Sequence, residues 1–361
     1  MKIVFLTVGL IQIGGVERVI STLANKLVEN YDYEVEIISA FSNGSKDTLA
    51  FELNPKISTT FLNKQFIKTD SILKRIKEEY AQVNDLIDSI NNSNADVCVL
   101  TNNFFNPFLF LKKRKLRCKL IFCEHVTHKQ YTKIKNILNI LTYRNADKVI
   151  VLSKKDAEFY SKYIKNVEII HNPKFLEVKK KPQLKNKKII SAGRLVYVKG
   201  FDRLIEAFSL IADKNKDWTL EIVGSGGEKK KLVSRIKELG LEDQIKILPF
   251  NNNIVNNYLD SMIYALPSRD ESFGLVLIEA MEIGLPCIAF DSFGPSEIIT
   301  NNENGILVEN NDIDGFSREL QRLINDEKLR DKLRKKAYKD IEKYEINTIT
   351  EKWKCLFEGL N

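Results

Sequence analysis

Short runs of apolar and β-branched residues alternate along the chain with longer amphipathic segments. In the first half the runs are nearly continuous, which is typical of strands buried on both faces of a parallel sheet. They lie at residues 2–8, 34–40, 96–100, 119–123, 148–152 and 167–170. The intervening segments have helical periodicity, and residues 18–29, for example, place Val19, Leu23 and Leu27 on one face. The alternation predicts a doubly wound α/β domain.

A polar segment at residues 173–188 interrupts this alternation. It contains two prolines and the run Lys179-Lys180-Lys181, a composition typical of a linker. The alternation then restarts, with predicted strands at residues 188–192, 219–223, 245–248, 262–266, 286–290 and 305–308. The sequence therefore predicts two doubly wound domains, residues 1–172 and 187–344, that face each other across a cleft. Ligands are expected at the carboxyl ends of the strands.

Composition and cysteine content indicate a globular chain with reduced thiols. The chain has 361 residues, of which 43% are hydrophobic, and this length fits two domains. No apolar stretch approaches the roughly 18–20 residues that cross a bilayer. The five cysteines are scattered and odd in number, so they form neither a disulfide framework nor a CxxC metal pair. We therefore expect a cytoplasmic protein, either free or peripheral on the inner face of the cell membrane.

The net charge of +8 is concentrated in part in one short basic run. Its cations are Lys112, Lys113, Arg114, Lys115, Arg117 and Lys119. Two interpretations stay open, a solvated turn or contact with anionic lipid head groups. Nucleic acid is not an expected partner, because no recognised nucleic-acid-binding motif accompanies the charge.

Two loops after predicted strands carry residues suited to phosphate. Gly14 and Gly15 follow the first strand and would let backbone amides approach a phosphate, although a tight turn explains them equally well. Arg194 and Lys199 lie in the loop after the strand at residues 188–192. A planar guanidinium and an ammonium in one such loop can flank a diphosphate, and two solvated cations are the alternative.

A third loop, after the strand at residues 262–266, combines a carboxylate with the start of a helix. Glu271 lies in this loop, and Phe273, Gly274 and Leu275 open the helix, so that their amides suit an anion. Glu279 lies in the second turn among apolar neighbours. A buried carboxylate there requires a hydroxyl or a cation as its partner, and a ribose diol would supply two hydroxyls. A solvated position on the helix is the alternative.

The chain has three histidines, His125, His128 and His171. His125 follows the strand at residues 119–123 and is a candidate for contact with substrate, although a structural role is the alternative and His128 competes for the same role. His171 precedes the linker and is interpreted as a hinge residue. Cys123, His125 and His128 match no zinc-binding spacing, so we predict no metal and no cofactor.

Together these motifs resemble those of the retaining GT-B glycosyltransferases of family 4 (glycosyl transferases group 1). The resemblance rests on Gly14-Gly15-Val16-Glu17-Arg18, Gly193-Arg194 with Lys199-Gly200, and Glu271-x7-Glu279 within ESFGLVLIEA. Further matching segments lie at residues 146–153, 294–299 and 304–308, so the resemblance spans nearly the whole chain in order. It implies two Rossmann-like domains, and it implies that a last helix at residues 345–361, which contains Trp353, packs back on the N-terminal domain.

The resemblance also implies a role for each matched residue. Arg194 and Lys199 would neutralise the departing diphosphate, Glu279 would hold the ribose hydroxyls, and Glu271 would hold hydroxyls of the donor sugar. His125 would lie beside the anomeric carbon, so the catalytic set would be His125, Glu271, Arg194 and Lys199. The other implied donor contacts are Gly14, Gly15, Phe250, the loop at residues 224–226, and the amides of Phe273, Gly274 and Leu275. Asp312-Ile313-Asp314 imitates a metal-binding motif, but its polar turn before a helix favours a helix N-cap.

The implied reaction is transfer of a sugar, from a UDP-hexose or a UDP-N-acetylhexosamine, to a glycan acceptor with retention of configuration. The run at residues 112–119 and the basic stretch at 129–135 fit a lipid-linked acceptor at an anionic membrane surface. Such a substrate would suit capsule, lipopolysaccharide or related surface-polysaccharide biosynthesis. A sugar-nucleotide epimerase of the same fold and a non-catalytic glycan-binding partner subunit are the alternatives. The presence of Arg194, Lys199, Glu271 and Glu279 argues against the second alternative.

Overall fold

The chain divides into two compact α/β units. The computed structural model describes residues 1–10, 14–41, 49–64, 72–101, 113–176, 186–250 and 254–360. The first unit comprises Met1–Pro173 together with Ile346–Asn361, and the second comprises Lys174–Glu345.

The first unit is built on a parallel sheet with seven strands among the described residues. These strands are β1 (Lys2–Thr7), β2 (Glu34–Phe41), β3 (Ser58–Lys64), β4 (Val97–Leu100), β5 (Lys119–Cys123), β6 (Lys148–Val151) and β7 (Val167–Ile169). Their spatial order is β3-β2-β1-β4-β5-β6-β7, and each neighbouring pair is parallel. The strand order reverses between β1 and β4, which creates the switch point where open α/β sheets bind ligands.

Helices cover both faces of this sheet. They include α1 (Gly15–Tyr31), α2 (Ile72–Asn92), α3 (Lys133–Tyr143) and α4 (Lys154–Ser161). On one face Leu23 of α1 packs in a cluster with Phe5 of β1, and on the other face Leu86 of α2 packs in a cluster with Val4. Burial on both faces explains why the strands read as nearly continuous apolar runs.

The second unit repeats this architecture with a six-stranded parallel sheet among the described residues. Its strands are β8 (Lys188–Ala192), β9 (Thr219–Val223), β10 (Ile245–Leu248), β11 (Ile263–Leu266), β12 (Cys287–Phe290) and β13 (Ile306–Val308), in the order β10-β9-β8-β11-β12-β13. Its helices include α5 (Phe201–Ala212), α6 (Lys229–Glu238), α7 (Ile254–Leu259), α8 (Leu275–Ile283), α9 (Phe293–Ile298), α10 (Ile313–Asn325) and α11 (Glu327–Asp340). Two doubly wound, Rossmann-like α/β units confirm the fold class expected from the sequence.

The last helix, α12 (Ile346–Glu358), packs on the first unit. Trp353 and Phe357 are buried and join the cluster that contains Leu23 of α1. At the rim of this contact the Tyr31 hydroxyl donates a hydrogen bond of 2.6 Å to Glu351. The C-terminal helix therefore completes the core of the N-terminal sheet.

One strand differs from the sequence-based expectation. Strand β3 (Ser58–Lys64) was not predicted, because its sequence STTFLNK is largely polar. It lies at the edge of the sheet, where a strand has one neighbour and one side open. Within the predicted linker at residues 173–188, Lys174 donates its amide to the Tyr344 carbonyl at 2.8 Å in the second unit. The lysine run 179–181 lies outside the described residues.

No helix in the described part of the chain combines the length and the apolar character that a bilayer crossing requires.

The packing of α12 predicts a large effect of truncating Phe357. The side chain is fully buried and its ring centroid lies 5.6 Å from that of Trp353. Phe357→Ala should lower the free energy of unfolding of the first unit by about 3–5 kcal/mol, because it leaves a cavity in the core. The chain has two tryptophans, Trp218 in the second unit and Trp353 in the first. Urea unfolding followed by Trp353 fluorescence in a Trp218→Phe background therefore reports on the first unit.

Lys352→Ala, an exposed position on the same helix, is the matched control and should change stability by less than about 0.5 kcal/mol. Equal midpoints for the two variants would contradict the assignment of α12 to this core.

Candidate active site

Loops at the carboxyl edge of the second sheet contact one another through their backbones. The Leu195 amide, after β8, donates to the Ser225 carbonyl after β9 at 2.8 Å. The Arg269 amide, after β11, donates to the Val198 carbonyl at 2.8 Å. The Gly294 amide, after β12, donates to the Glu271 carbonyl at 2.7 Å. These bonds join the loops after four neighbouring strands into one surface.

Glycines make this close approach sterically feasible at two points. Gly200 has φ +66°, and a Cβ atom there would lie 2.1 Å from the Pro267 carbonyl oxygen. A Cβ atom on Gly224 would lie 1.9 Å from the Gly193 carbonyl oxygen. Real Cβ atoms do not approach a carbonyl oxygen so closely, so larger residues would push the loops apart. The glycines that follow β8 and β9 therefore fix where the loop side chains meet.

A cation and a carboxylate predicted to bind the donor lie side by side on this surface. Lys199 Nζ is 2.6 Å from Glu271 Oε2, and Ser268 Oγ donates to the same oxygen at 3.1 Å. Both ionic side chains are largely buried, with 19% and 12% of their surface exposed. Arg194 is exposed, and no ion pair joins it to another described residue. The loop after β8 therefore holds one cation paired with Glu271 and one exposed cation, Arg194.

Helix α8 begins beside Glu271. Gly274 is its N-cap residue, with φ 96° and ψ 53°, and Leu275 is the first helical residue. The first amides of a helix have no intrahelical acceptor, and they carry the positive end of the helix dipole. The Phe273 side chain is buried and its ring packs edge-on against Tyr344 at 5.5 Å. Residues 273–275 can therefore contact a ligand through their backbone amides, and the buried Phe273 ring does not take part.

Two carboxylates are buried on α8. Glu279 has 7% of its surface exposed and lies among the buried residues Leu277, Ile278, Ala280 and Met281. Glu282, one turn further on, is equally buried; it lies 3.6 Å from Lys174 Nζ and accepts a hydrogen bond from the Leu176 amide at 3.1 Å. Burial raises the pKa of Glu282 to about 7 despite Lys174. Glu282 was missed in the sequence, although a second Glu in an apolar helix is a visible signal.

Three more predicted donor contacts are described: Phe250 lies at the same sheet edge, and Gly14 and Gly15 begin a helix in the first unit. Phe250 is 49% exposed and follows β10, which is the neighbour of β9 and its loop at residues 224–226. Gly14 is the N-cap of α1 and Gly15 its first residue, and the Gly14 carbonyl accepts the Arg18 amide at 3.1 Å. Residues 11–13 and 251–253 lie outside the described part of the chain.

His125 follows β5 with both ring nitrogens shielded from solvent and, within the described residues, without a hydrogen-bond partner. It lines a small pocket of the first unit with Thr101, His171 and Trp353. Burial lowers the pKa of His125 to about 4, so its imidazole is neutral at neutral pH. A neutral imidazole can exchange hydrogen bonds with a hydroxyl but cannot neutralise a phosphate.

His128, the competing candidate, is held by other groups. Its Nδ1 is 2.8 Å from Asp156 Oδ1, and its ring stacks on Phe159 with a centroid separation of 3.8 Å. His171, interpreted from the sequence as a hinge residue, lies in the His125 pocket. The pocket therefore contains two of the three histidines, and His128 belongs to a neighbouring polar network.

Glu124, which sequence reasoning missed, is the buried neighbour of His125. It accepts hydrogen bonds from the hydroxyls of Tyr143 and, at 2.9 Å, Tyr131. Burial raises the pKa of Glu124 to about 7, although both tyrosines act in the opposite direction. The network ties the segment after β5 to helix α3, whose last residue is Tyr143.

No group of three or more metal-ligating side chains occurs in the described ranges. Asp312 is the N-cap residue of α10, where its side chain accepts the Gly315 amide at 2.7 Å. Of the basic run at 112–119, Lys112 lies outside the described residues, and Arg114, Lys115, Arg117 and Lys119 are exposed.

The buried Glu124 carboxyl predicts a pH-dependent stability. Because its pKa is about 7 in the folded chain and 4.5 when unperturbed, its favourable contribution is complete below pH 4.5 and is lost as the pH rises through 7. Glu124→Gln cannot ionise, so its stability relative to the natural protein should rise over this window, by on the order of 3 kcal/mol. Urea unfolding at a series of pH values measures the difference.

Glu158→Gln, at an exposed position on α4, is the matched control and should follow the pH profile of the natural protein. A Glu124→Gln profile parallel to that of the natural protein would contradict the raised pKa of this carboxyl.

Two family models match the chain, one in each half. The model for Glycosyltransferase Family 4 matches residues 13–173, and the model for glycosyl transferases group 1 matches residues 173–340. The two matches adjoin and together contain the predicted donor-binding residues.

Three relatives are similar over nearly the full length. An uncharacterized glycosyltransferase of Haemophilus influenzae is 33% identical over 98% of this chain and 99% of its own length. The amylovoran biosynthesis glycosyltransferase AmsD of Erwinia amylovora is 28% identical over 98% of each chain. A Campylobacter jejuni α-1,4-N-acetyl-D-galactosaminyltransferase, named for a diNAcBac-PP-undecaprenol glycan, is 27% identical over 98% of this chain and 97% of its own.

Solved structures show the same fold. Sucrose-phosphate synthase from Thermosynechococcus elongatus superposes with a TM-score of 0.84 at 17% identity, covering 99% of this chain and 98% of its own. Anabaena HepE, solved in complex with UDP, has a TM-score of 0.81 at 19% identity, covering 99% and 100%. Both family models, the relatives and the fold agree. The chain therefore belongs to the family 4, group 1 glycosyltransferases and is a glycosyltransferase of the GT-B fold.

Proposed function

We propose that this glycosyltransferase transfers a hexose or an N-acetylhexosamine from a UDP-sugar to a lipid-linked glycan, with retention of configuration and without a metal ion. The observation that carries the proposal is the grouping of Arg194, Lys199, Glu271 and the N-terminus of α8 at one edge of the second sheet. In this proposal that edge is the donor site.

The diphosphate is assigned to the two cations and the helix start. Arg194 is exposed and unpaired among the described residues, so it is available to an anion, and Lys199 lies in the same loop. The amides that open α8 add fixed dipoles without reorganisation cost. As the bond from C1 to the phosphate oxygen breaks, negative charge grows on the diphosphate, and these groups stabilise that charge. In this proposal the cations and the helix amides take the place of a metal ion in this step.

The two acidic positions are assigned to hydroxyl groups. Glu271 already accepts hydrogen bonds from Ser268 and Lys199, so its oxygens are oriented to accept from a sugar hydroxyl as well. Glu279 is assigned to the ribose, because a carboxylate can accept from both hydroxyls of a vicinal diol. Phe250, half exposed after β10, is assigned to the nucleobase, since an aromatic face can stack on any base.

His125, Gly14 and Gly15 are the contributions of the first unit to the proposal. The neutral imidazole of His125 suits a sugar hydroxyl better than a phosphate, because it carries no charge at neutral pH. Gly14 and Gly15, which begin α1, are assigned to close approach of the donor. We infer that the acceptor hydroxyl attacks C1 from the face that the diphosphate leaves, and that its proton passes to the departing phosphate oxygen. That route retains the configuration at C1.

The nature of the acceptor is supported by the names of the relatives. The Erwinia protein is named for amylovoran biosynthesis and the Campylobacter protein for a glycan on undecaprenyl diphosphate. The choice of UDP is supported by the UDP complex of the Anabaena protein. By this reasoning the chain extends a lipid-carried glycan during surface-polysaccharide biosynthesis, at the inner face of the cell membrane.

The proposal predicts that a UDP-sugar is consumed only when acceptor is present. A panel of UDP-glucose, UDP-galactose, UDP-N-acetylglucosamine and UDP-N-acetylgalactosamine, offered with detergent-dispersed undecaprenyl-diphosphate glycans, should release UDP with one member. Proton NMR should show an α-linkage, the configuration of the donor, and EDTA should leave the rate unchanged. Arg194→Ala should reduce UDP release by at least about tenfold, whereas Arg318→Ala, an exposed arginine of the same unit, should not.

Three results would overturn parts of this proposal. Conversion of donor to an epimer without acceptor would identify an epimerase, and a β-linked product would exclude retention. Loss of activity in EDTA with recovery on addition of Mn²⁺ would exclude the metal-independent mechanism.

A further inference from the structure

Helix α3 (Lys133–Tyr143) exposes four of its five aliphatic side chains. Ile134 is 73% exposed, Ile137 58%, Leu138 38% and Leu141 40%. These positions are spaced i, i+3, i+4 and i+7, so they form one continuous stripe along the helix. Contiguous exposed apolar surface of this kind marks an interaction site in natural proteins. We call Ile134, Ile137, Leu138 and Leu141 the α3 stripe.

The opposite side of α3 is polar and holds the helix to the rest of the unit. Asn139, Thr142 and Tyr143 are buried. The Tyr143 hydroxyl donates to Glu124, and Asn136 Nδ2 donates to the His128 carbonyl at 2.8 Å. Buried polar residues thus face the protein, and four of the five aliphatic residues of α3 face out, whereas the fifth, Ile140, packs against the core of the unit. Attachment of α3 does not use the α3 stripe, so the stripe is available to a partner.

Cations dominate the part of the chain that carries the α3 stripe. The exposed cations in residues 129–165 are Lys129, Lys133, Arg144, Lys154, Lys155, Lys162 and Lys165, whereas Glu158 is the one exposed carboxylate in that segment. Arg144 Nε donates to the Tyr163 carbonyl at 3.2 Å, which joins the end of α3 to the segment that carries Lys162 and Lys165. Tyr163 is itself 46% exposed. An exposed aliphatic stripe on a helix with an exposed cation at each end, here Lys133 and Arg144, is typical of a helix that lies in a lipid interface.

We propose that the α3 stripe docks on an anionic lipid surface, with its aliphatic side chains among the acyl chains and the neighbouring cations against the head groups. The proposal deepens the proposed function, since it rests on a lipid-linked acceptor. Charge favours lipid over a second copy of this chain. A two-fold contact through α3 would bring two sets of the same cations together, whereas acidic head groups complement them. The proposed docking surface is the α3 stripe, and it does not include the basic run at residues 112–119.

Docking through α3 would also orient the site. Tyr143 at the end of α3 and Tyr131 before it both donate to Glu124, the neighbour of His125. The helix that contacts lipid and the segment that carries His125 therefore share one buried hydrogen-bond network. A lipid-anchored acceptor would then approach the first unit on the side that carries His125.

Vesicle flotation of the full chain tests the proposal. The probes are phosphatidylcholine vesicles and vesicles of phosphatidylcholine with phosphatidylglycerol, each at low and high salt. The natural protein should float with the acidic vesicles and hardly with the neutral ones, and salt should weaken the binding. Ile134→Gln/Ile137→Gln/Leu141→Gln, which keeps the charge and the helix propensity, should reduce binding to acidic vesicles by at least about tenfold.

Leu210→Gln/Val233→Gln is the matched control, because these residues are comparably exposed aliphatics on helices of the second unit, at 55% and 48%. It should float like the natural protein. Thermal melting and UDP binding of both variants should match the natural protein, so that a loss of flotation is not a loss of fold. Transfer to a short lipid-free acceptor should also be unchanged in the triple variant.

Several outcomes would overturn the docking surface. These are equal flotation of the triple variant and the natural protein, no flotation of the natural protein, or equal binding to neutral and acidic vesicles. If light scattering shows that the natural protein is a dimer and the triple variant a monomer, the α3 stripe would be assigned to a second copy instead. Because UDP release with the lipid-free acceptor is measured separately, failure of docking is distinguishable from failure of the proposed transferase function.

Discussion

The contact of backbone with backbone at the carboxyl edge of the second sheet is the constraint on which the candidate site depends. Gly200 and Gly224 leave no room for a Cβ atom, at 2.1 and 1.9 Å from carbonyl oxygens of neighbouring loops. Because the loops after β8, β9, β11 and β12 meet in this way, side chains far apart in sequence occupy one place. Lys199 and Glu271, at 2.6 Å, are the clearest result.

The electrostatics of the two units differ in a way that suits a sugar-nucleotide substrate. The second unit presents fixed cations and a helix N-terminus, which favour the charged diphosphate. In the first unit His125 is kept neutral by burial, and Glu124 beside it has a pKa near 7 for the same reason. In the proposed reaction the second unit stabilises the leaving group, and the first unit contacts the sugar.

The sequence predicted the fold class and the buried strands well, because strands covered on both faces carry continuous apolar runs. It failed for strand β3, because this polar strand lies at the sheet edge and forms by pairing with β2, which its own sequence does not show. It also missed Glu124 and Glu282, since their significance comes from burial and from partners such as Tyr143 and Lys174. The α3 stripe could not be recognised from periodicity, because an amphipathic helix gives the same pattern whichever face is buried. Only packing shows that the polar face of α3 is the buried one.

The proposed donor site places a nucleoside diphosphate on the second unit, with Glu279 on the ribose. The most direct test is calorimetric titration of UDP into the natural protein, Glu279→Ala and Glu282→Ala. The two carboxylates lie one turn apart on α8 and are equally buried, so the second variant controls for damage to the helix. Glu279→Ala should weaken UDP binding about 10- to 150-fold, the effect of one hydrogen bond to a charged group, while Glu282→Ala should bind UDP like the natural protein. Unchanged UDP affinity in Glu279→Ala would contradict the assignment of Glu279 to the ribose.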